Sequence, residues 1–223
     1  MPVKSKFSAE DIIEAAFSIA RTHGSEKFSA RSIAGELKSS TMPIYSCLSS
    51  MKELEEAVLK KALDLLITYE TKSRTGDIFL DMGIGYIMFA MEERHLFRML
   101  FLSEKREGFE ETKKRFRKYV IDILLDKLDH FEPMRGYTRE QKRVLIDKMW
   151  IFTHGLAVLL NHSIIEDLSE KRIADLLTDT GIFVVVGERM RDEIYSNEDV
   201  KGFLERTGFK HLNKLTAKDF ELF

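Results

Sequence analysis

The feature that most constrains the fold is the scarcity of helix-breaking residues in a chain with strong helical periodicity. Only three prolines occur in 223 residues, at Pro2, Pro43 and Pro133. Proline removes a backbone donor and clashes with the preceding turn, so long stretches without it favour long helices. Apolar residues recur at helical spacing through most of the chain, for example between residues 54 and 69. We therefore predict an all-α protein.

Composition limits the function classes. Apolar residues make up 44% and charged residues 32% of the chain, which is typical of a soluble globular protein. The formal net charge is −2, so any nucleic-acid binding has to come from a local patch. The single cysteine, Cys47, excludes an internal disulfide and a four-cysteine zinc site, and it fits a reducing compartment.

The sequence predicts neither a signal peptide nor a membrane span. The first thirteen residues, MPVKSKFSAEDII, lack the apolar stretch of a signal peptide. The most apolar segment, residues 78 to 91, is too short for a membrane span and contains Asp81. We expect a cytoplasmic protein that does not enter a membrane and that carries no cofactor.

The first sixty residues are divided by repeated helix-start signals. Ser8 with Asp11 forms a predicted capping box, and Ser29 is expected to cap a second helix of about two turns. Ser40 is expected to cap a third short helix over Thr41 to Leu48, with Pro43 in its first turn. A further box, Ser50 with Glu53, opens a long helix. Two short helices around a tight turn predict a helix-turn-helix. Periodicity alone leaves DNA binding open, because many all-helical domains contain such corners.

The residues of this stretch resemble those of the tetracycline-repressor (TetR) family. The segment SARSIAGELKSSTMPIYSCLSSMKEL follows the order that the family shows through its helix-turn-helix. The matching positions are Ser29, Ile33, Ala34, Ser40, Tyr45, Leu48 and Leu54. The departures are Lys38 in place of the turn glycine, Cys47 in place of the histidine and Met51 in place of the lysine, with Lys52 one position late. The resemblance is specific over about residues 8 to 60 and only architectural beyond them.

The resemblance implies a particular domain organisation. A three-helix DNA-binding domain is expected over residues 1–52, and a larger helical domain for effector binding and dimerisation over residues 53–223. The implied function is a ligand-responsive transcriptional regulator, a repressor released from its operator by a small apolar or amphipathic effector. A homodimer on a palindromic double-stranded operator is expected.

Eight residues are candidates for DNA contact. Tyr45 and Lys52, with Thr41, are expected on phosphates. Ser40 belongs to the set as the start of the third helix. The residues expected near base edges are Arg31, Met42, Pro43 and Ser46. Residues 1 to 52 hold seven basic and five acidic side chains, a net +2 that has the sign DNA requires. The alternative interpretations are that Lys52 is a solvated lysine and Tyr45 a core aromatic.

The middle helices are rich in methionine and phenylalanine. Ten methionines and sixteen phenylalanines suit an adaptable apolar pocket, although such stripes also form ordinary core. The candidate effector-binding residues are Met82, Tyr86, Phe89, Phe116, Trp150 and His154. Gly83 and Gly85 leave room either for a neighbouring backbone or for a ligand. His154 as a hydrogen-bonded core histidine stays an equal alternative.

The last two long helices, at about 138–161 and 169–195, are where the TetR family places its dimer interface. The expected interface residues are Leu177, Gly181, Val184 and Val185, which share one face of the second helix. The alternative is that this face packs only within its own subunit.

Two other function classes are compatible with an all-helical chain. Glu92 and His95 have the spacing of one half of a di-iron helix motif, but none of the other five histidines has a glutamate three residues earlier. No phosphate-binding loop or zinc-protease motif occurs, so we expect neither an enzyme nor a metal site. The remaining alternative is a helical adaptor or small-molecule-binding protein whose helix-turn-helix is degenerate.

Overall fold

The computed structural model describes residues 7–102 and 109–207, with the side chains of 109–113, 116, 133, 192, 195, 204 and 207 outside that description. Helices account for nearly all of these ranges, and no β-strand occurs in them. The all-α prediction is confirmed. The helices are α1 (Ala9–His23), α2 (Ala30–Glu36), α3 (Met42–Cys47), α4 (Met51–Glu70), α5 (Ile78–Glu92), α6 (Arg94–Phe97), α7 (Phe109–Asp129), α8 (Arg139–Asn161), α9 (Glu170–Arg189), α10 (Arg191–Ser196) and α11 (Glu198–Thr207).

The chain divides into two compact units. Unit 1 comprises Met1–Lys113 and Ala157–Glu170, and unit 2 comprises Lys114–Leu156 and Lys171–Phe223. Unit 1 therefore holds α1 to α6 together with the last turn of α8. This division describes packing, and the functional boundary expected at residue 52 stays a prediction.

Unit 1 is built around α1, which packs against α2, α3, α4 and α6. Its core includes the fully buried Ile12, Ile33 and Ile44, one from each of the first three helices. Helix α5 packs along α4 and is apolar nearly all round, as expected for a central helix. The chain bends at Glu93, which leaves helical geometry at φ −106°, ψ 48° and separates α5 from α6. A π-helical segment, Arg98–Leu102, follows α6.

Unit 2 is built from α7, the greater part of α8, and α9 to α11. Its core side chains come from all three long helices: Ile121, Leu125, Leu128, Val144, Leu145, Ile173 and Leu177. The predicted start of α8 is confirmed, because Thr138 and Gln141 cap each other's backbone N–H groups at 2.8 and 3.1 Å. The Tyr137 hydroxyl donates to the Val185 carbonyl at 3.1 Å and ties the entry of α8 to α9.

Two predicted details are wrong. The third helix starts at Met42, and its N-cap position is Thr41, which makes no side-chain capping bond, so Ser40 does not cap it. The predicted last long helix is interrupted at Met190 and continues as the separate helix α10.

One described helix, α8, is long and apolar enough to cross a membrane by length and composition. Half of its most apolar window is buried within the protein, as is common for the core helix of a soluble fold.

Candidate functional site

The helix-turn-helix begins with two side-chain caps. Ser8 and Asp11 bond each other's backbone N–H groups at 3.1 and 2.8 Å, so the predicted capping box at the start of α1 is confirmed. The bonds from Ser8 lower the pKa of the Asp11 carboxyl. At α2 the Ser29 hydroxyl accepts from the Ser32 N–H at 3.2 Å, which confirms the second predicted cap.

The turn between α2 and α3 is a Schellman motif closed by a lysine. The Ser39 N–H donates to the Ala34 carbonyl at 2.9 Å, and the Lys38 N–H donates to the Gly35 carbonyl at 3.0 Å. Lys38 has φ 49°, the left-handed conformation that glycine adopts without steric penalty. Lys38 therefore replaces the turn glycine in residue type only, because its backbone keeps the conformation that a glycine would have there.

Helix α3 is anchored by one side and presents the other to solvent. Ile44 is fully buried and Leu48, which follows the helix, is nearly so. Met42 is 76% exposed and Tyr45 57% exposed, which is unusual for an apolar and an aromatic side chain. The exposed Ser46 hydroxyl donates to the Pro43 carbonyl at 2.8 Å.

The start of α4 completes this surface. The Ser50 hydroxyl accepts from the Glu53 N–H at 3.1 Å, as predicted. The Glu53 carboxylate, however, accepts from the N–H and hydroxyl of Ser49, one residue earlier than a capping box requires. Those bonds lower the pKa of Glu53. Lys52 lies in the first turn of α4 and is exposed.

The structure thus places the eight predicted DNA-contact residues in α2, the turn, α3 and the first turn of α4. Seven of them are exposed, and Pro43 is half-buried. Because Tyr45 is exposed, the alternative interpretation of this residue as a core aromatic is wrong. Their contact with DNA stays a prediction.

Helix α1 is held against α4 and against the α5–α6 bend by ion pairs that the sequence analysis missed. Lys61 on α4 pairs with Glu14 and, at 3.4 Å, with Glu10, both on α1. Arg21 on α1 makes a two-point ion pair with Glu93 at the α5–α6 bend, with Arg21 Nε at 2.7 Å from Glu93 Oε2. A surface groove of about 480 Å³ lies beside this pair, lined by Glu14, Phe17, Ser18, Arg21, Thr22, Glu92 and Glu93. None of its lining residues belongs to the predicted effector set.

The predicted effector-binding residues lie in both units. Met82, Tyr86 and Phe89 are on α5 in unit 1, and Trp150 and His154 are on α8 in unit 2. The side chain of Phe116 lies outside the described residues. Tyr86 packs edge-on against Phe97 with ring centroids 5.7 Å apart, and Phe89 packs edge-on against Tyr69 at 5.5 Å. The six residues as an effector site stay a prediction.

In unit 2 the rings of Trp150 and His154 stack in parallel, 4.9 Å apart. The Arg117 guanidinium lies 4.6 Å from the Trp150 ring and also pairs with Asp147 at 3.5 Å. Burial lowers the pKa of the His154 imidazole, so this ring is neutral at pH 7.

One buried carboxyl group escaped the sequence analysis altogether. Glu70, the last residue of α4, continues the buried stripe of Leu59, Leu63 and Leu66. Burial raises its pKa to about 8. Its i, i+4 spacing from Leu66 was the available signal, because it places a charged residue on an otherwise apolar face.

On α9 the predicted interface residues face their own unit. Leu177 is 4% exposed and belongs to the unit 2 core, and a Cβ on Gly181 would lie 3.9 Å from the Met149 methyl group. Val184 and Val185 are half-buried. The opposite face of α9 carries an exposed apolar stripe of Ile182, Phe183 and Val186, with Phe183 71% exposed, and the exposed Met190 follows directly after the helix. We call these four residues the α9 stripe.

Comparison with known proteins places the fold. No protein-family model and no curated protein matches this sequence. Among solved structures, the chain is similar to the crystal structure of a TetR-like transcriptional regulator from Rhodococcus sp. RHA1, with a TM-score of 0.58 and 17% sequence identity. The match covers 80% of this chain and 95% of that one. The likeness confirms the predicted resemblance at the level of the fold.

Proposed function

We propose that this chain, which has the fold of a TetR-like transcriptional regulator, binds duplex DNA through α2 and α3 and regulates transcription in response to a small effector. The observation that carries the proposal is the solvent face of α3. Helix α3 has six residues, of which Ile44 is buried in the core while Met42 and Tyr45 are exposed to solvent. Exposed apolar and aromatic side chains on so short a helix indicate a surface that contacts a partner.

The chemistry of that face fits the major groove. The Met42 side chain suits apolar contact with a thymine methyl group, and the Tyr45 hydroxyl is a donor for phosphate. Because the Ser46 hydroxyl proton is already donated to Pro43, its oxygen remains to accept from a base amino group. Arg31 on α2, with Ser40, Thr41 and Pro43 around the start of α3, completes the proposed contact set.

Lys52, in the first turn of α4, is the residue that we propose binds a DNA phosphate beside the helix-turn-helix. A cation in the first turn of a helix opposes the helix dipole, and this small cost is offset when a phosphate lies at the same helix end. Lys52→Ala should weaken binding to specific and non-specific duplexes alike and reduce the salt slope by about one. Lys60→Ala, an exposed lysine two turns along the same helix, is the matched control.

We propose that the protein acts as a homodimer on a palindromic operator. One helix-turn-helix reads too few bases to select a site alone, and a second copy about 34–36 Å away supplies the other half. Among the described residues, the α9 stripe offers an exposed apolar face for such an interface. The sequence predicts a different interface on α9, the face formed by Leu177, Gly181, Val184 and Val185. Because Leu177 and Gly181 face their own unit, we favour the α9 stripe as the interface.

The proposed regulation is release from the operator by a small apolar or amphipathic effector. Thermodynamic reciprocity requires such an effector to bind more weakly when operator is present. We propose that this takes place in the cytoplasm and involves no catalysis.

A selection from random genomic fragments at low salt tests the proposal. The full-length protein should enrich fragments that share an inverted repeat. A pool that stays unenriched over several rounds would contradict DNA regulation and favour an adaptor with a degenerate helix-turn-helix. A Tyr45→Ala, Lys52→Ala double variant, run in parallel, should enrich nothing.

A further inference from the structure

Lys38 holds a left-handed backbone conformation that is unfavourable for a lysine. Its φ of 49° makes it one of five described residues with positive φ, of which Gly24, Gly76 and Gly136 are three. Glycine adopts this conformation without steric cost, whereas an L-residue brings its Cβ close to the carbonyl oxygen that follows. The N–H groups of Lys38 and Ser39 nevertheless close the turn on α2, so the fold keeps the lysine there against its own preference.

The fifth residue with positive φ shows what a side chain at such a position does elsewhere in the chain. Ser163 has φ 54°, and its hydroxyl accepts from the Arg94 guanidinium at 3.2 Å, so this side chain has a partner within the protein. The Lys38 side chain is exposed and pairs with no described carboxylate, although Glu36 is only two residues away. Strain that is retained without an internal contact indicates a partner outside the chain.

The cations on both sides of this turn are also left to solvent. Every basic side chain that the structure describes between residues 24 and 52 is exposed and lacks an ion pair: Lys27, Arg31, Lys38 and Lys52. Two glutamates, Glu26 and Glu36, accompany them, so four positive and two negative charges leave a net +2 in this segment. Arg21 on α1, by contrast, is neutralised by Glu93. Unpaired cations concentrated on a helix-turn-helix create a positive potential that attracts a polyanion.

We propose that Lys38 binds a DNA phosphate beside the turn that leads into α3, a contact beyond the eight candidate residues. The inference rests on the proposed DNA binding and adds a residue to that surface. Lys38 lies three residues before Thr41, so their Cα atoms are at most about 11 Å apart. Lysine meets a phosphate as a flexible point charge, so the contact needs no fixed hydrogen-bond geometry.

This contact would complete the positioning of α3 in the groove. Lys38 precedes α3 in the chain and Lys52 follows it, so the helix has an unpaired cation on each side. Phosphate contacts carry no sequence information, but they fix the register and orientation of the element that reads the bases. With both lysines on phosphates, α3 is held at its two ends.

The strain at Lys38 allows a phosphate contact to be separated from a role in folding. Lys38→Gly removes the cation together with the unfavourable conformation, so this variant should unfold in urea at a concentration equal to or above that of the wild type. Lys38→Gln removes the charge and keeps a long side chain, and Lys38→Arg keeps the charge. Lys60→Gln, at an exposed position of α4 outside the proposed surface, is the matched control.

The experiment measures the fluorescence anisotropy of a labelled genomic fragment from the selection, and of a random-sequence duplex, with the full-length protein over a salt series. Lys38→Gln and Lys38→Gly should bind both duplexes at least about fivefold more weakly near 0.1 M salt. Their salt slopes should be smaller by about one per bound protomer. Lys38→Arg should keep the wild-type slope, and Lys60→Gln should match the wild type on both duplexes.

Unchanged affinity and salt slope in Lys38→Gln and Lys38→Gly would overturn the proposal and leave the proposed DNA binding intact. Weakening on the selected fragment alone would indicate a base contact, and loss of binding together with loss of stability would indicate a role in folding. Either result also overturns the phosphate contact. A wild-type protein that binds neither duplex at low salt would remove the DNA function, and the phosphate contact with it.

Discussion

Gly85 on α5 lies directly against the backbone of Tyr69 on α4. A Cβ at Gly85 would meet the Tyr69 carbonyl group and the Glu70 Cα atom well inside van der Waals contact. Backbone atoms cannot rotate away as a side chain does, so the two helices would have to separate. Of the two interpretations that the sequence allowed for this glycine, a neighbouring backbone is the one that the structure shows.

Gly85→Ala should therefore destabilise the protein by about 3 kcal/mol, the upper end of overpacking costs. Gly155→Ala is the control, because Gly155 lies in α8 with no atom within 4 Å of an added Cβ. That change should stabilise by about 0.5–1 kcal/mol through helix propensity. Urea unfolding of both variants measures the contrast. Equal stability of the two would show that α4 and α5 do not pack this closely.

Glu70 should make stability fall as pH rises. Its folded-state pKa of about 8 lies above the ordinary value of 4.5, so between these values the folded protein holds a proton that the unfolded chain has lost. Glu70→Gln should remove this dependence and be more stable than the wild type at pH 8 by a few kcal/mol. Glu56→Gln, which changes an exposed glutamate of the same helix, should follow the wild-type curve. Parallel curves for wild type and Glu70→Gln from pH 5 to 9 would refute the buried, partnerless carboxyl.

The Arg21–Glu93 pair should contribute to holding α1 against the α5–α6 bend. Arg21→Gln leaves the buried Glu93 carboxylate with a weaker partner, which we expect to cost about 1–3 kcal/mol. The figure lies below that for a fully buried pair because Arg21 is half-exposed and solvent screens it. Adding Glu93→Gln should recover part of the loss in a double-mutant cycle. Strictly additive effects in urea unfolding would mean that the two side chains do not interact.

Charge on the α9 stripe should break the proposed dimer. Val186→Glu places a carboxylate in the middle of the stripe, where an apolar interface cannot solvate it. Sedimentation should show monomers that stay helical. Tyr119→Glu adds the same charge at an exposed aromatic position on another helix, α7, and should leave the dimer intact. A dimeric Val186→Glu protein would place the interface on another surface.

Local signals predicted well where the chain bonds to itself within a few residues. The predicted caps at Ser8, Ser29 and Ser50 all form, because each needs only a side chain and a backbone N–H three residues away. The predicted Ser40 cap does not form, and the cause is again local, because the next residue occupies the cap position. Thr41 takes helical geometry at φ −75°, ψ −11° and becomes the cap position itself.

The sequence could not predict which residues far apart in the chain meet in the folded protein. The periodicity of α9 groups Leu177 with Gly181 on one face, but it cannot tell whether that face meets its own subunit or a second copy. Arg21 and Glu93 are 72 residues apart, and no pattern in the sequence pairs them. Glu70 looks like the polar end of a long helix, and only the approach of α5 buries it.

The central claim, that the exposed face of α3 reads DNA, is tested most directly by the affinity of wild type, Tyr45→Ala and Tyr119→Ala for one selected fragment and its scrambled sequence. The two tyrosines are matched, at 57% and 61% exposure. We predict that wild type and Tyr119→Ala bind the selected duplex about 10³-fold or more tightly than the scrambled one. Tyr45→Ala should bind the selected duplex at least tenfold more weakly than either. Equal affinity of wild type for both duplexes, or unchanged binding by Tyr45→Ala, would contradict the claim.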